Sequence, residues 1–298
     1  MLENISESPS NVKEKTQSLG WAIFLSIFLV FLKGFAGFFC ASASLLASAL
    51  DSLMDMGISS VNYLSVKLAS QPPDSDHAYG HEKIESLASY TQGVLFLFFS
   101  FFIFWESFQH VRSRIFLTHS NFALSIIGIS ASVNLMITFI MGRIEKKTGS
   151  LIMKAEKTHY LMDILSYIMI FVSILLVKWT GWFAWDILGG ILVAGYIAFL
   201  SFQILLQAAN ELVDRSLPKR MVDELDRMIR HHDPHVLGYH ELRTRKVGEK
   251  SFVDFHLVLK RDQSFENVHE ITESLVQKIQ GRFRNADVTI HEDPEHGK

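Results

Sequence analysis

Six stretches of mostly apolar residues run through the first two thirds of the chain: Leu19–Cys40, Leu45–Ala69, Ile84–Gln109, Phe122–Gly142, His159–Lys178 and Phe183–Gln207. Each has the roughly 20 residues that a helix needs to cross a bilayer. The second, third and fifth carry polar residues, as expected of helices that face a bundle interior and not lipid. After Gln207 the pattern changes. MVDELDRMIRHH has helical periodicity, HELRTRKV alternates, and SFVDFHLVLK alternates more clearly. In the last of these, Val253, Phe255, Leu257 and Leu259 share one face, and Phe252, Asp254, His256 and Val258 share the other. Gly248 marks a turn between the two strands. ENVHEITESLVQKIQGRF reads as an amphipathic helix ending near Gly281, and ADVTIHEDP as a last strand stopped by Pro294. The expected fold is therefore a six-span helical membrane protein with a small αββαβ (α+β, ferredoxin-like) domain whose helices cover one face of an open sheet. The expected boundaries are a polar tail over 1–18, a membrane domain over 19–208 and a soluble domain over 209–298.

Composition agrees with such a division. A hydrophobic share of 49% in 298 residues is high for a soluble chain and low for one wholly embedded in lipid. A net charge of −3 gives no indication of a nucleic-acid partner. Where the charges fall is more informative. With the N-terminus in the cytoplasm, Lys13, Lys15, Lys67, Lys83, Arg143, Lys146, Lys147, Lys154, Lys157, Arg215, Lys219 and Arg220 lie on the cytoplasmic side, and only Arg112, Arg114 and Lys178 lie opposite. This bias predicts an even number of spans with both termini inside. Trp182 and Trp185, beside Asp186, read as an outer interfacial belt, and Glu106 as an acid snorkelling to water. The polar N-terminus lacks a cleavable signal pattern and reads as a retained tail. The single cysteine, Cys40, excludes an internal disulfide and a Cys-rich metal site.

Candidate chemistry sits where apolar residues are expected. Asp51 and Asp55 lie in the second predicted span, and His159 and Asp163 in the fifth. An ionisable group near the bilayer centre costs roughly 2.5–3.5 kcal/mol on insertion scales, so such groups are rare and usually functional. Residues four apart share a helix face. Two such helices facing each other would converge three carboxylates and one imidazole, a donor set for a divalent transition metal in which the histidine favours zinc or cadmium over magnesium or calcium. A second cluster, Asp74, His77 and His81, falls in the loop after the second span, where Gly80 lets the backbone turn back. A third falls in the soluble domain: His240, His256, and His291 with Asp293 stand on three strands that can be neighbours, and His269 on the second helix can join them. His231, His232, His235 and His296 read as exposed surface histidines.

The segments ASASLLASALDSLMD, DSDHAYGHEKIESL, HYLMD and the late HELRTR, HLVL, HEITE and TIHEDP together resemble the cation diffusion facilitator family, in particular its bacterial zinc and iron efflux branch. The resemblance extends from about Trp21 to Pro294. It implies six spans, a cytoplasmic metallochaperone-like domain, a homodimer in the bacterial inner membrane, and exchange of metal for protons. It marks Asp51, Asp55, His159 and Asp163 as the transport site, Asp74, His77 and His81 as a loop site, and His240, His256, His269, His291 and Asp293 as a two-metal site of the soluble domain. It also marks Lys83 and Asp214 as a salt-bridge region at the dimer contact. Zinc is then both substrate and regulator, with cadmium and iron(II) able to use the same donors. A passive metal channel and a membrane metal sensor are the competing readings. A metalloenzyme is disfavoured, since none of His81-Glu82, His240-Glu241, His269-Glu270 and His291-Glu292 is followed by the second histidine that a zinc protease requires.

Overall fold

The computed structural model describes residues 9–39, 43–109, 121–182, 184–283 and 285–295. Cys40, Arg112, Arg114, Phe183 and His296 lie outside them, and only the backbone of Glu106, Lys178 and Asp186 is described. The chain divides into two compact units, one over Ser8–Ala209 and one over Asn210–Lys298.

The first unit is built from six long helices: α1 (Pro9–Phe39), α2 (Ala43–Ala69), α3 (Lys83–Gln109), α4 (Asn121–Thr148), α5 (Leu151–Thr180) and α6 (Ala184–Leu212). They follow the six apolar stretches in order, but three of them, α1, α3 and α6, are apolar enough by composition alone to cross a membrane. The other three carry the acids, amides and basic residues that a hydropathy threshold penalises. Burial runs opposite to that of a water-soluble bundle. Ser52, Ser59, Asn62, Gln92, Asn134 and Glu156 are buried, whereas Phe31, Phe38, Phe98 and Phe101 are exposed. Polar inside and aromatic outside is the pattern of a body surrounded by hydrocarbon. One apolar cluster joins α1, α2, α4 and α5 through Leu19, Val66, Ile137, Met141, Ile152 and Tyr160. Another joins α3, α5 and α6 through Phe96, Ala155, Met162, Ile197 and Ile204.

Two helix starts differ from expectation. The segment expected as a tail to residue 18 is helical from Pro9. Lys15 is fully buried there because its Nζ lies 2.9 Å from Glu85 Oε1, and Ser150 Oγ donates to the other carboxylate oxygen at 2.7 Å. The fifth helix begins at Leu151 and not at His159. Its first two turns carry Lys154, Glu156 and Lys157, and each finds a partner on another helix or turn: Gln207 at 2.6 Å, Asn62 at 2.6 Å and Glu145 at 2.7 Å respectively.

The second unit has the order α7 (Lys219–Arg230), β1 (Val236–Val247), β2 (Lys250–Leu259), α8 (Phe265–Arg282) and β3 (Ala286–Pro294). The sheet order is β1-β2-β3, with β1 antiparallel and β3 parallel to β2. Gly248 makes the β1–β2 turn at φ +58°, a value that glycine adopts without a Cβ penalty. The Ser264 hydroxyl caps α8 by accepting from the Asn267 N–H. As the alternation of β2 predicts, Val253, Phe255, Leu257 and Leu259 are buried, and they pack against Leu225 and Ile229 of α7 and Ile271, Leu275 and Ile279 of α8. Both helices thus cover one face, and His256 lies on the other.

Candidate metal centres

Helices α2 and α5 bring Asp55, His159 and Asp163 together, with one ligand atom from each within 4.8 Å of the other two. His159 Nε2 stands 2.9 Å from Asp55 Oδ1. In a tetrahedral site with bonds of about 2.0–2.1 Å, neighbouring donors stand about 3.3 Å apart, so the Asp55–His159 pair is already near metal-binding spacing. Two further side chains shape the site. Asn134 of α4 donates from Nδ2 to Asp163 Oδ2 at 3.0 Å, and Phe96 of α3 stacks on the His159 ring with centroids 5.5 Å apart and planes 12° from parallel. Asp51, one turn before Asp55, is exposed and lies outside the converged trio.

The loop after α2 folds around Asp74. Its Oδ1 accepts the backbone N–H groups of Asp76 at 2.9 Å and His77 at 2.6 Å, and its Oδ2 lies 3.3 Å from His81 Nε2. Gly80 turns the chain at φ +90°, and the rings of His77 and His81 come within 4.6 Å. The bond from the His77 N–H is the largest influence holding the Asp74 carboxyl below the usual aspartate range. Asp74, His77 and His81 offer three ligand atoms within 4.8 Å of one another.

On the open face of the sheet, register places His240 opposite His256, and His256 opposite His291. Asp293 Oδ2 lies 3.0 Å from His240 Nε2 and 3.0 Å from His256 Nδ1, and these three residues form the tightest donor group there. The His291 ring lies 4.7 Å from that of His256, with Nε2 3.5 Å from Asp293 Oδ1. The hydrogen-bonded His256 is the main cause of a lowered Asp293 pKa, and His291 and His240 add to it. His269 is not brought to this group within one chain. It stands on α8, with Nε2 3.6 Å from its own Glu273, and α8 packs against the sheet face opposite His256.

Two family models divide the chain between them. Residues 21–213 match the cation efflux transmembrane domain, and residues 217–295 match the cation efflux protein cytoplasmic domain. The chain belongs to the cation diffusion facilitator family. Its relatives include the cation-efflux pump FieF of Escherichia coli (strain K12), 30% identical over 89% of this chain and 88% of that protein. FieF of Shewanella oneidensis is 29% identical over 89% of each. Protein p34 of Rickettsia prowazekii is 30% identical over 90% of this chain and 89% of its own length. The solved zinc-form chain of the transporter CzrB is 31% identical, covering 28% of this chain and 97% of that one, at a TM-score of 0.26. The protein is accordingly a membrane cation-efflux transporter and not an enzyme.

In this cation diffusion facilitator, sequence reasoning missed several contributors. Asn134 carried a usable signal, an amide in an apolar span, as did Glu156, which is fully buried and bonded by Ser59 and Asn62. Glu241 carried none. A bulge between His240 and Arg243 holds it at φ +53°, which brings its carboxylate 3.9 Å from His256 Nε2. Of the proposed salt-bridge pair, Lys83 opens α3, and Asp214 follows α6 at φ +57° and accepts from Arg245 Nη1 at 3.1 Å. That arginine partner was not foreseen.

Proposed function

We propose that the protein exports divalent transition metal, zinc foremost, in exchange for protons. The observation that carries the proposal is the convergence of Asp55, His159 and Asp163 between α2 and α5, with Asp51 one turn away to complete the shell as the metal arrives. Carboxylates and neutral imidazole bind metal only when deprotonated, so loading releases protons and protonation expels cargo. The lone histidine favours zinc, cadmium or iron(II) over magnesium and calcium. All six long helices serve as spans, over 19–208. The termini and the domain over 209–298 lie in the cytoplasm, and the protein sits in a bacterial inner membrane. The distribution of basic residues supports this orientation. Two copies form a homodimer, a reading supported by the cytoplasmic family model, and the Lys83 and Asp214 region lies at their contact. His240, His256, His269, His291 and Asp293 sense cytoplasmic metal, and Asp74, His77 and His81 hold metal at the loop.

Vesicles loaded with a pH dye and challenged with zinc, cadmium, iron(II) and manganese test the proposal, with Asp163→Ala as control. Zinc movement with matching proton counterflow, lost in Asp163→Ala, is expected. Flux without protons would leave a passive channel, and no flux of any metal would leave a sensor. Full transport by Asp163→Ala would move the site elsewhere.

A further inference from the structure

Lys33 interrupts the apolar run of α1 and is 3% exposed. Its Nζ donates to Ser52 Oγ at 2.8 Å and reaches the Ser48 carbonyl and the Tyr167 hydroxyl at 3.4 Å each. An ammonium has three donors and no acceptor capacity, and here it meets three oxygens. Among the described residues, no carboxylate comes within ion-pairing distance of it. This is an unusual environment for a buried lysine, which ordinarily sits on an acid.

The position of its partners gives it meaning. Ser52 precedes Asp55 by three residues on α2, and Tyr167 follows Asp163 by four on α5. Residues so spaced share a helix face, one turn apart. Lys33 therefore bridges the two helices that supply the metal ligands, about one turn of 5.4 Å to one side of them. The charged or titratable groups around this axis are Asp51 and Asp55 on α2, His159 and Asp163 on α5, and Glu156. Glu156 lies on the other side of the site, three residues before His159, bonded to Ser59 and Asn62 of α2.

We infer that Lys33 is a fixed counter-cation of the transport site, placed to weaken its hold on a divalent metal and so to ease release. The inference rests on the proposed transport site. A dication held by Asp55, His159 and Asp163 is repelled by an ammonium one turn away, whereas the same ammonium in a merely structural role would support the α2–α5 geometry and strengthen binding. The sign of a single measurement separates the two. In the proposed orientation α1 runs outward, so Lys33 lies on the side from which cargo leaves.

The test measures zinc affinity of the full-length protein in lipid nanodiscs at fixed pH. It uses a background of Asp74→Ala and Asp293→Ala, so that the loop and sheet groups do not report. Lys33→Met is expected to bind zinc roughly tenfold or more tightly than the background protein and to release it correspondingly slowly. Lys33→Arg, which keeps the charge, should stay within about threefold of the background protein on the same Coulomb argument. Should Lys33→Met fail to fold, Lys33→Gln is neutral, retains a hydrogen-bond donor and carries the same expectation. Unchanged or weaker binding in a folded neutral variant would overturn the inference while leaving the site intact. Undiminished binding in Asp163→Ala would instead remove the site assignment, and the inference with it.

Discussion

Zinc bound on the open sheet face should hold the second unit folded, and the size of the effect can be worked out. His240, His256 and Asp293 come from three different strands and are separated by 16 and 37 residues along the chain (256 − 240 and 293 − 256). A chain that has lost the sheet cannot present them together, so metal binds the folded state in preference. At free zinc one hundredfold above the dissociation constant, linkage then adds about 2.7 kcal/mol. For a domain of this size each kcal/mol moves the melting temperature by about 4–8 °C, which gives a rise of roughly 11–22 °C. The unit has its own core of Leu225, Ile229, Phe255, Leu257, Leu275 and Ile279, so it can be melted alone, starting from Asn210. Differential scanning calorimetry with and without zinc reads the shift, and His256→Ala and Asp293→Ala should remove most of it, because each takes a donor from the centre of the group. Lowering the pH should shrink it as protons compete for the imidazoles. An equal shift in wild type and both variants would refute the reasoning, since the metal would then be held elsewhere.

Other expectations follow from single contacts. Asn134→Val strips the donor that orients Asp163 and should raise the KM for metal transport by about 10–100-fold, with kcat less affected, as vesicle kinetics would read. Asp74 titrates below its ordinary value, so its bonds to the His77 and Asp76 amides stabilise the loop above about pH 4 and are lost as pH falls through the depressed folded value. Protection of the His77 amide, its exchange rate relative to an unstructured peptide at the same pH, should fall only in that acid range. Leu225→Ala, at a fully buried position between α7 and the sheet, should cost about 2–5 kcal/mol of stability in the second unit by denaturant unfolding.

What could be read in advance depended on whether the cause was local. The alternation of SFVDFHLVLK separates Phe255 from His256, and the strand keeps them on opposite faces, because strand geometry is a two-residue rule. The four-residue spacing of His159 and Asp163 is likewise local and sets both on one face of α5, whereas Asp51, four before Asp55, is exposed and stands outside the trio that the structure brings together. Helix starts were misplaced where the cause was distant. Lys15 and Glu85 are 70 residues apart, and no window of sequence shows that one neutralises the other. Lys157 and Glu145, and Lys154 and Gln207, extended α5 in the same hidden way. His269 was grouped with the sheet histidines by residue type and by the family resemblance. Which face α8 would cover is a packing outcome, settled by Ile271, Leu275 and Ile279 and not by the histidine.

The three donor groups use nearly the same residues under different degrees of exposure, and exposure is what distinguishes their chemistry. The side chains of Asp74 and His77 are 51% and 60% exposed, those of His256 and Asp293 are 33% and 19%, and those of His159 and Asp55 are 11% and 14%. Water screens the charges of the loop group, so its protons, and any metal held there, would exchange freely with the medium. At the buried group neither metal nor proton can leave without the other's charge being felt, because the surrounding medium screens little. The proposed proton coupling is therefore assigned to the α2–α5 site by its position, even though all three groups have ligands that protons can displace. The same argument explains why a buried lysine beside that site matters. A cation at the rim of the loop would be screened to insignificance, whereas Lys33, enclosed one turn from Asp55 and Asp163, acts on every ion that enters.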